Sequence, residues 1–194
     1  MAINFPSSLP TSTGVAQIEL RAINAVAYSR SPFTFAGQAH AYAGQMWQAD
    51  ITLPAMKRAE AEQWIAFLVS LRGQYGTFLL NDPSATSPRG TATAATITGD
   101  TGDSSVTVAM TGTLLAGDYI QLGSGSSARL HKVLQDQDGS GTLEIWPALR
   151  ADHTTTSAVL TSAAGMFRLS SNEQSWSVNE ASVYGITFGA MEAL

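Results

Sequence analysis

The chain has 194 residues, of which 44% are hydrophobic, and this is enough to bury one domain or two small ones. Only 13% of the residues are charged, the net charge is −5 and no run of Lys or Arg occurs. This balance argues against a nucleic-acid-binding protein, because phosphate binding depends on clustered cations. The absence of cysteine excludes disulfides and thiolate metal sites.

The N-terminal sequence MAINFPSSLP has neither the basic region nor the apolar region of a secretory signal. The longest apolar run in the chain falls far short of the ~20 residues that span a bilayer. We therefore expect a soluble protein that is made in the cytosol and is not inserted in a membrane.

Two strand patterns come first along the chain. Residues 16–28 alternate loosely between apolar and polar side chains, with an interruption near residues 22–24. Residues 45–53 alternate more regularly, from Trp47 to Leu53, and Phe33 and Phe35 begin the alternation upstream. The letters AYAGQ at 41–45 favour a hairpin turn between the two stretches of alternation.

A helix over about residues 55–72 is the most clearly predicted element. Pro54 suits its first turn, large apolar residues recur along one face, and Gly73 follows it as a C′ glycine with positive φ. The letters TFLLND at 77–82 then predict a short buried strand. The predicted structural core contains Trp47, Trp64, Phe67, Leu68, Leu71, Gly73 and Phe78.

The composition changes after Pro83. Residues 84–165 are rich in Thr, Ser, Ala and Gly, and carry short strand patterns at the spacing typical of a small all-β barrel or sandwich. Residues 166–194 return to larger side chains and predict two more strands, with Trp176 in the core. We predict a mainly β fold with one α-helix (α+β), in which a domain formed by 1–83 and 166–194 is interrupted by an inserted β-domain, 84–165.

The residues that could carry chemistry are scattered. His40, His131 and His153 show none of the local pairs that metal sites usually have. The letters DQDGSG at 136–141 begin like a calcium loop, but Ser140 and Pro147 stand where an EF-hand needs ligands. With no nucleophile motif, phosphate loop or carboxylate pair, the sequence predicts no enzyme, no cofactor and no metal site.

Three motifs follow one another in the first part of the chain: W-x-A-x-I-x-L-P at 47–54, F-L-x-x-L-R-G at 67–73 and G-x-F-x-x-x-D-P at 76–83. Their order, over residues 30–83, resembles that of the distal tail protein of long-tailed siphophages and prophages, a minor tail protein of the tail tip or baseplate. In the insert, G-D-x-I-x-L at 117–122 and L-x-I-x-P-x-L-R at 143–150 are similar to a β-module often found in the same phage proteins.

The resemblance implies a structural protein of the virion. In that family the first domain is a belt-type β-sandwich that forms a ring, usually a hexamer, and the insert projects outwards as an OB-like barrel. The ring joins the tail tube protein to the tail hub protein and the receptor-binding fibres. The implied location is the phage tail tip, after synthesis in the host cytoplasm. DNA would pass through the lumen without specific binding.

Two other functions stay open. The insert could make the protein a receptor- or glycan-binding module of the tail tip and a host-attachment protein, with Tyr119, His131 and Trp146 as its ligand face. A hydrolase of cell-wall polymer would need clustered histidines or paired carboxylates, and the sequence shows neither.

Overall fold

The computed structural model describes residues 3–194, and the fold is mainly β with one α-helix among them. In chain order the elements are β1 (Gln17–Arg30), β2 (Gly37–Thr52), β3 (Met56–Lys57), α1 (Arg58–Ser70), β4 (Thr77–Asn81), β5 (Ala95–Gly99), β6 (Ser105–Met110), β7 (Thr113–Leu114), β8 (Tyr119–Leu122), a 3-10 turn (Gly125–Ser127), β9 (Arg129–Val133), β10 (Gln137–Asp138), β11 (Gly141–Trp146), β12 (His153–Ala158), β13 (Ala164–Leu169), β14 (Trp176–Val178) and β15 (Val183–Glu192). No helix in this part of the chain combines the length and the apolar composition needed to cross a membrane.

One antiparallel sheet, here called the long sheet, has the strand order β1-β2-β15-β13-β4. The first half of β15 pairs instead with β3 and β14, so the sheet branches at this strand. Helix α1 packs on this sheet. One buried cluster contains the large side chains predicted for the core: Trp47, Trp64, Phe67, Leu68, Leu71 and Phe78.

Helix α1 is shorter than predicted at both ends. Met56 and Lys57 pair with Tyr184 and Val183 as strand β3, so Pro54 precedes a strand and not the first turn of the helix. At the C-terminal end of the helix, the left-handed backbone conformation begins at Arg72, one residue before the predicted Gly73. Arg72 has a φ of 53° and Gly73 a φ of 67°, so the positive φ predicted for Gly73 is confirmed.

The second sheet, here called the barrel, has the strand order β12-β5-β6-β11-β9-β8. A bridge between Gln121 and Val159 nearly closes it, and it has an apolar core of its own. The chain leaves the long sheet after β4 and returns in β13. The return is slightly earlier than the predicted boundary at residue 166, because Ala164 and Gly165 already pair with Asn81 and Leu80.

The β1–β2 hairpin differs from its prediction. The letters AYAGQ lie inside β2, and the turn is at 31–36, where Ser31 and Ala36 share a backbone hydrogen bond of 2.9 Å. Residues 41–45 are accommodated by a shift in register opposite Asn24 and Val26, close to the interruption predicted for β1. Phe33 and Phe35 therefore belong to the turn and not to an alternating strand.

Trp176 is also not where the sequence places it. Its side chain is 42% exposed, because β14 is a short strand that pairs only with β15. The sequence pattern correctly predicts a strand at Trp176, but no other part of residues 3–194 covers the side chain of this tryptophan.

Candidate functional site

The far half of the β1–β2 hairpin is exposed on both of its faces. We call residues 23–44 the arm. Every residue from Arg21 to Arg30 in β1 and from Gly37 to Gly44 in β2 is exposed, whereas a strand within a sandwich alternates between buried and exposed positions. At about 3.3 Å per residue, the arm reaches about 25 Å beyond its base.

The exposed side chains of the arm are mainly apolar or aromatic. Val26, Tyr28, Phe33, Phe35 and Tyr42 are all exposed, and Phe33 at the turn reaches 92%. An isolated two-stranded hairpin is marginally stable in water, and exposed apolar side chains of this size are typical of an interaction surface. The arm is therefore a surface that lacks a covering layer within its own subunit.

The charge of the arm differs from that of the rest of the chain. Arg30 is its one formally charged residue, and it has no carboxylate, while the whole chain has a net charge of −5. The guanidinium of Arg30 lies 4.6 Å from the ring centroid of Phe35 and donates to the Phe35 carbonyl at 3.2 Å. The cation is thus held at the turn, beside the exposed aromatic side chains.

An apolar pocket of about 250 Å³ lies at the base of the arm. We call it the base pocket. Ile23 and Met46 face each other across the β1–β2 ladder there. The residues lining the base pocket are Ile23, Asn24, Ala25, Gly44, Gln45, Met46 and Leu194.

Strand β1 is the last strand of the long sheet. Among the strands of residues 3–194 it pairs only with β2, so one of its edges presents backbone N–H and C=O groups that no other strand uses. Such an edge is able to pair with another chain. The arm and this edge are continuous, since both belong to β1.

A buried polar cluster joins the long sheet to the barrel. The carboxylate of Glu192 accepts a hydrogen bond from the backbone N–H of Trp47 at 3.1 Å and lies 3.5 Å from Nη2 of Arg150. The same guanidinium donates to the carbonyl of Gln45. Burial raises the pKa of Glu192, and the Trp47 N–H and the cations of Arg150 and Arg129 oppose this rise.

His131 lies beside this cluster, with its side chain in the interior. Its Nδ1 is 2.7 Å from the carbonyl of Pro147, so the proton of the neutral ring sits on Nδ1 and is donated to that oxygen. The pKa of His131 is lowered to about 4, mainly by burial and to a smaller extent by the neighbouring cations of Arg150 and Arg129, while the hydrogen bond to the Pro147 carbonyl opposes this fall. The imidazole is therefore neutral at pH 7.

The three residues predicted as a ligand face do not form an exposed face. His131 is only 1% exposed and Tyr119 is also buried. The prediction is wrong for His131 because β9 is covered on both sides, by the barrel core and by β13 of the long sheet. Lys132 further covers Tyr119, with its Nζ 4.1 Å from the ring centroid.

Trp146, the third residue of the predicted ligand face, belongs to the same junction. Its ring is perpendicular to that of Trp47, with centroids 4.6 Å apart, and its indole N–H donates to the Asn24 side chain at 2.7 Å. No role was predicted for Glu192 or Asn24, and Arg150 entered only as the last residue of the motif at 143–150. The contacts that bring these residues together could not be predicted, because the partners lie more than a hundred residues apart along the chain.

The three histidines are not brought together as metal ligands. His40 makes an edge-to-face contact with Tyr42 in the arm, His131 is in β9, and His153 contacts Thr156 in β12. Across residues 3–194 no group of three or more His, Asp or Glu side chains could hold a metal ion. A scan against protein-family models and a search of curated proteins found no match to this chain.

Proposed function

We propose that this chain is a ring-forming structural subunit at the distal end of a phage tail, where it links the tail tube to the hub and the receptor-binding fibres. The observation that carries the proposal is the arm. A hairpin that exposes Phe33, Phe35 and Tyr42 and leaves one strand edge unpaired is suited to a subunit that is completed by neighbouring copies.

The positions of the motif residues support the same proposal. The segments 47–54, 67–73 and 76–83 pack together, because Trp47, Phe67 and Phe78 share one buried cluster. Near the end of the last motif, Asp82 accepts hydrogen bonds from the N–H and the hydroxyl of Ser84, at 2.9 and 2.6 Å. A packed unit of this kind is suited to a subunit that is repeated around a ring.

The ionisable groups at the junction make structural contacts. Glu192 accepts from the Trp47 N–H, and Arg150 and His131 donate to backbone carbonyls, whereas Nε of Arg150 and Nε2 of His131 have no hydrogen-bond partner among residues 3–194. None of the three residues lines the base pocket. We propose a structural and not a catalytic role for this chain. The receptor- or glycan-binding alternative stays a hypothesis, without the ligand face that was predicted for it.

The experiment is the absolute mass of the purified protein by light scattering over a range of concentrations, followed by negative-stain images of the main species. Six copies of a 20.4 kDa chain give a ring of about 120 kDa with a central opening. That result supports the proposal. A monomer at every concentration, together with binding of a cell-surface glycan in an array, would favour the binding-module alternative.

A further inference from the structure

We propose that the arm of one copy of this chain docks on the next copy, with Phe33 entering the base pocket of that neighbour. The inference rests on the proposed ring and names the contact that builds it. It is a head-to-tail contact, in which a projecting feature meets a concave feature of an identical chain. Contacts of this kind generate closed rings when the rotation between copies closes.

The turn of the arm is a defined structure that presents Phe33. The backbone N–H groups of Phe33 and Thr34 both donate to Oγ of Ser31 at 3.3 Å, and the N–H of Phe35 donates to the Ser31 carbonyl at 3.0 Å. Pro32 precedes Phe33, and proline restricts the backbone at this position. Phe33 is thus held outwards at the tip, 92% exposed, with its main chain already hydrogen-bonded.

The base pocket can take an aromatic ring. The pocket is open to the surface, and its volume of about 250 Å³ leaves room for a phenyl ring. Ile23, Ala25, Met46 and Leu194 supply an apolar lining. A phenyl ring is therefore matched to the pocket in both size and polarity.

The two features cannot meet within one subunit. The tip and the base pocket lie on the same pair of strands, about 25 Å apart at 3.3 Å per residue. Beyond the register shift at Asn24 and Val26, the two strands of the arm are paired without a break from Val26 and Ala41 to Arg30 and Gly37, and this ladder holds the tip away from the base pocket of the same copy. Phe33 can reach a base pocket only on another copy.

The charge distribution favours a second copy over a membrane. The arm carries a formal charge of +1 from Arg30, and the whole chain carries −5, so the rest of each copy carries −6. The arm is therefore attracted to the acidic body of a neighbour. Anionic lipid surfaces attract clusters of several Lys or Arg residues, and the arm has one.

The absence of cysteine allows a direct test by cross-linking. In the double variant Thr34→Cys/Ala25→Cys, Phe33 is kept and the two thiols are too far apart within one copy, because a disulfide needs Cα atoms within about 7 Å. Thr34 is exposed beside Phe33 at the tip, so mild oxidation is expected to give a ladder of covalent oligomers on a non-reducing gel. The matched control is Thr34→Cys/Gly14→Cys, since Gly14 is exposed and a side chain there meets nothing within 4 Å.

The second variant is Phe33→Ser, which should weaken association by at least about 30-fold, the loss typical of a central aromatic contact. If wild-type rings form, while the double cysteine variant cross-links no more than its control and Phe33→Ser still assembles, the inference is overturned and the proposed ring survives. If a ladder forms without any closed particle, the arm contact stands and the ring proposal fails. Flotation of the wild type, but not of Phe33→Ser, with phosphatidylcholine vesicles containing anionic lipid would also overturn the inference.

Discussion

The indole N–H of Trp47 in the long sheet donates to the backbone carbonyl of Leu130 in the barrel, at 2.9 Å, and both residues are buried. The backbone N–H of the same tryptophan donates to Glu192, and its ring contacts Trp146. One residue, through its side chain and its backbone, thus contacts strands that are far apart in the sequence. The barrel is held against the long sheet by buried hydrogen bonds as well as by the chain crossings.

Replacement of Trp47 by Phe tests this junction. The variant keeps an aromatic ring but leaves the Leu130 carbonyl buried without its donor, which should lower the free energy of unfolding by about 1–3 kcal/mol. Urea denaturation followed by circular dichroism measures the loss. The control is Trp176→Phe, because Trp176 is 42% exposed and should change stability by less than about 0.5 kcal/mol. Equal losses for the two variants would contradict the structural role of the Trp47 N–H.

Helix α1 gives a second prediction. Trp64→Ala or Phe67→Ala removes a large buried aromatic side chain and should cost about 3–5 kcal/mol in the free energy of unfolding. Val69→Ala on the same helix is the control, since Val69 is 57% exposed. Denaturant melts that show losses near 1 kcal/mol for the two aromatic variants would argue against the packing described for this helix.

The end of helix α1 gives a third prediction. Gly73 has a φ of 67°, and a Cβ placed there would lie 2.7 Å from Oδ1 of Asn172. That oxygen accepts a hydrogen bond from the backbone N–H of Gln74, so it cannot move without losing this bond. Gly73→Val should therefore cost about 1–3 kcal/mol or more from backbone strain and displacement.

The matched control for Gly73 is Gly14→Val. Gly14 is exposed and has open space around the position of a Cβ. Thermal unfolding of the two variants should show a clearly larger fall in Tm for Gly73→Val. A similar Tm for both would mean that the left-handed conformation at Gly73 is not required.

His131 gives a prediction about pH. Its pKa is about 4 in the folded state and 6.5 as the ordinary value, so the unfolded chain takes up a proton first as the pH falls. Burial of the neutral His131 ring therefore contributes fully to the free energy of unfolding above pH 6.5, and this contribution is lost progressively as the pH falls from 6.5 towards 4. Between pH 8 and pH 5 the loss amounts to about 2 kcal/mol.

The measurement for His131 is the difference in pH dependence between the wild type and His131→Gln, from urea melts at pH 8 and pH 5. The raised pKa of Glu192 acts in the opposite direction, because a carboxyl with a raised pKa favours folding as the pH falls. Glu192, Arg129, Arg150 and His153 are present in both proteins, so the difference isolates His131. Parallel pH profiles for the two proteins would contradict the buried, neutral imidazole.

The sequence was sufficient for the parts of the fold that obey a local period. Trp64, Phe67 and Leu68 recur on one helical face and are buried together, and the short strands of the barrel begin and end close to their turn signals. Alternation was misleading in the arm. The apolar side chains of the arm, such as Tyr28 and Tyr42, are exposed in the folded chain. Their alternation with polar residues therefore does not mark a buried face of the arm.

The turn of the arm and the junction were missed for different physical reasons. Ser31 and Pro32 carry the turn chemistry, but the aromatic residues after them favoured a strand, and Gly44 drew the predicted turn to residues 41–45. The junction depends on tertiary contacts. His131 is buried only because the barrel packs back on β13, and no residue near it in the sequence signals that packing.

The pairing of Asn81 with Ala164 has a consequence for how such a protein can be altered. The chain leaves the long sheet at Asn81 and re-enters it at Ala164, directly opposite, so a tight turn could join these two positions if the barrel were deleted. The deletion would not be neutral, however. Trp47 would lose the Leu130 carbonyl that accepts its hydrogen bond, and Glu192 would lose the Arg150 cation. A replacement domain would therefore need an acceptor and a cation at the same two places.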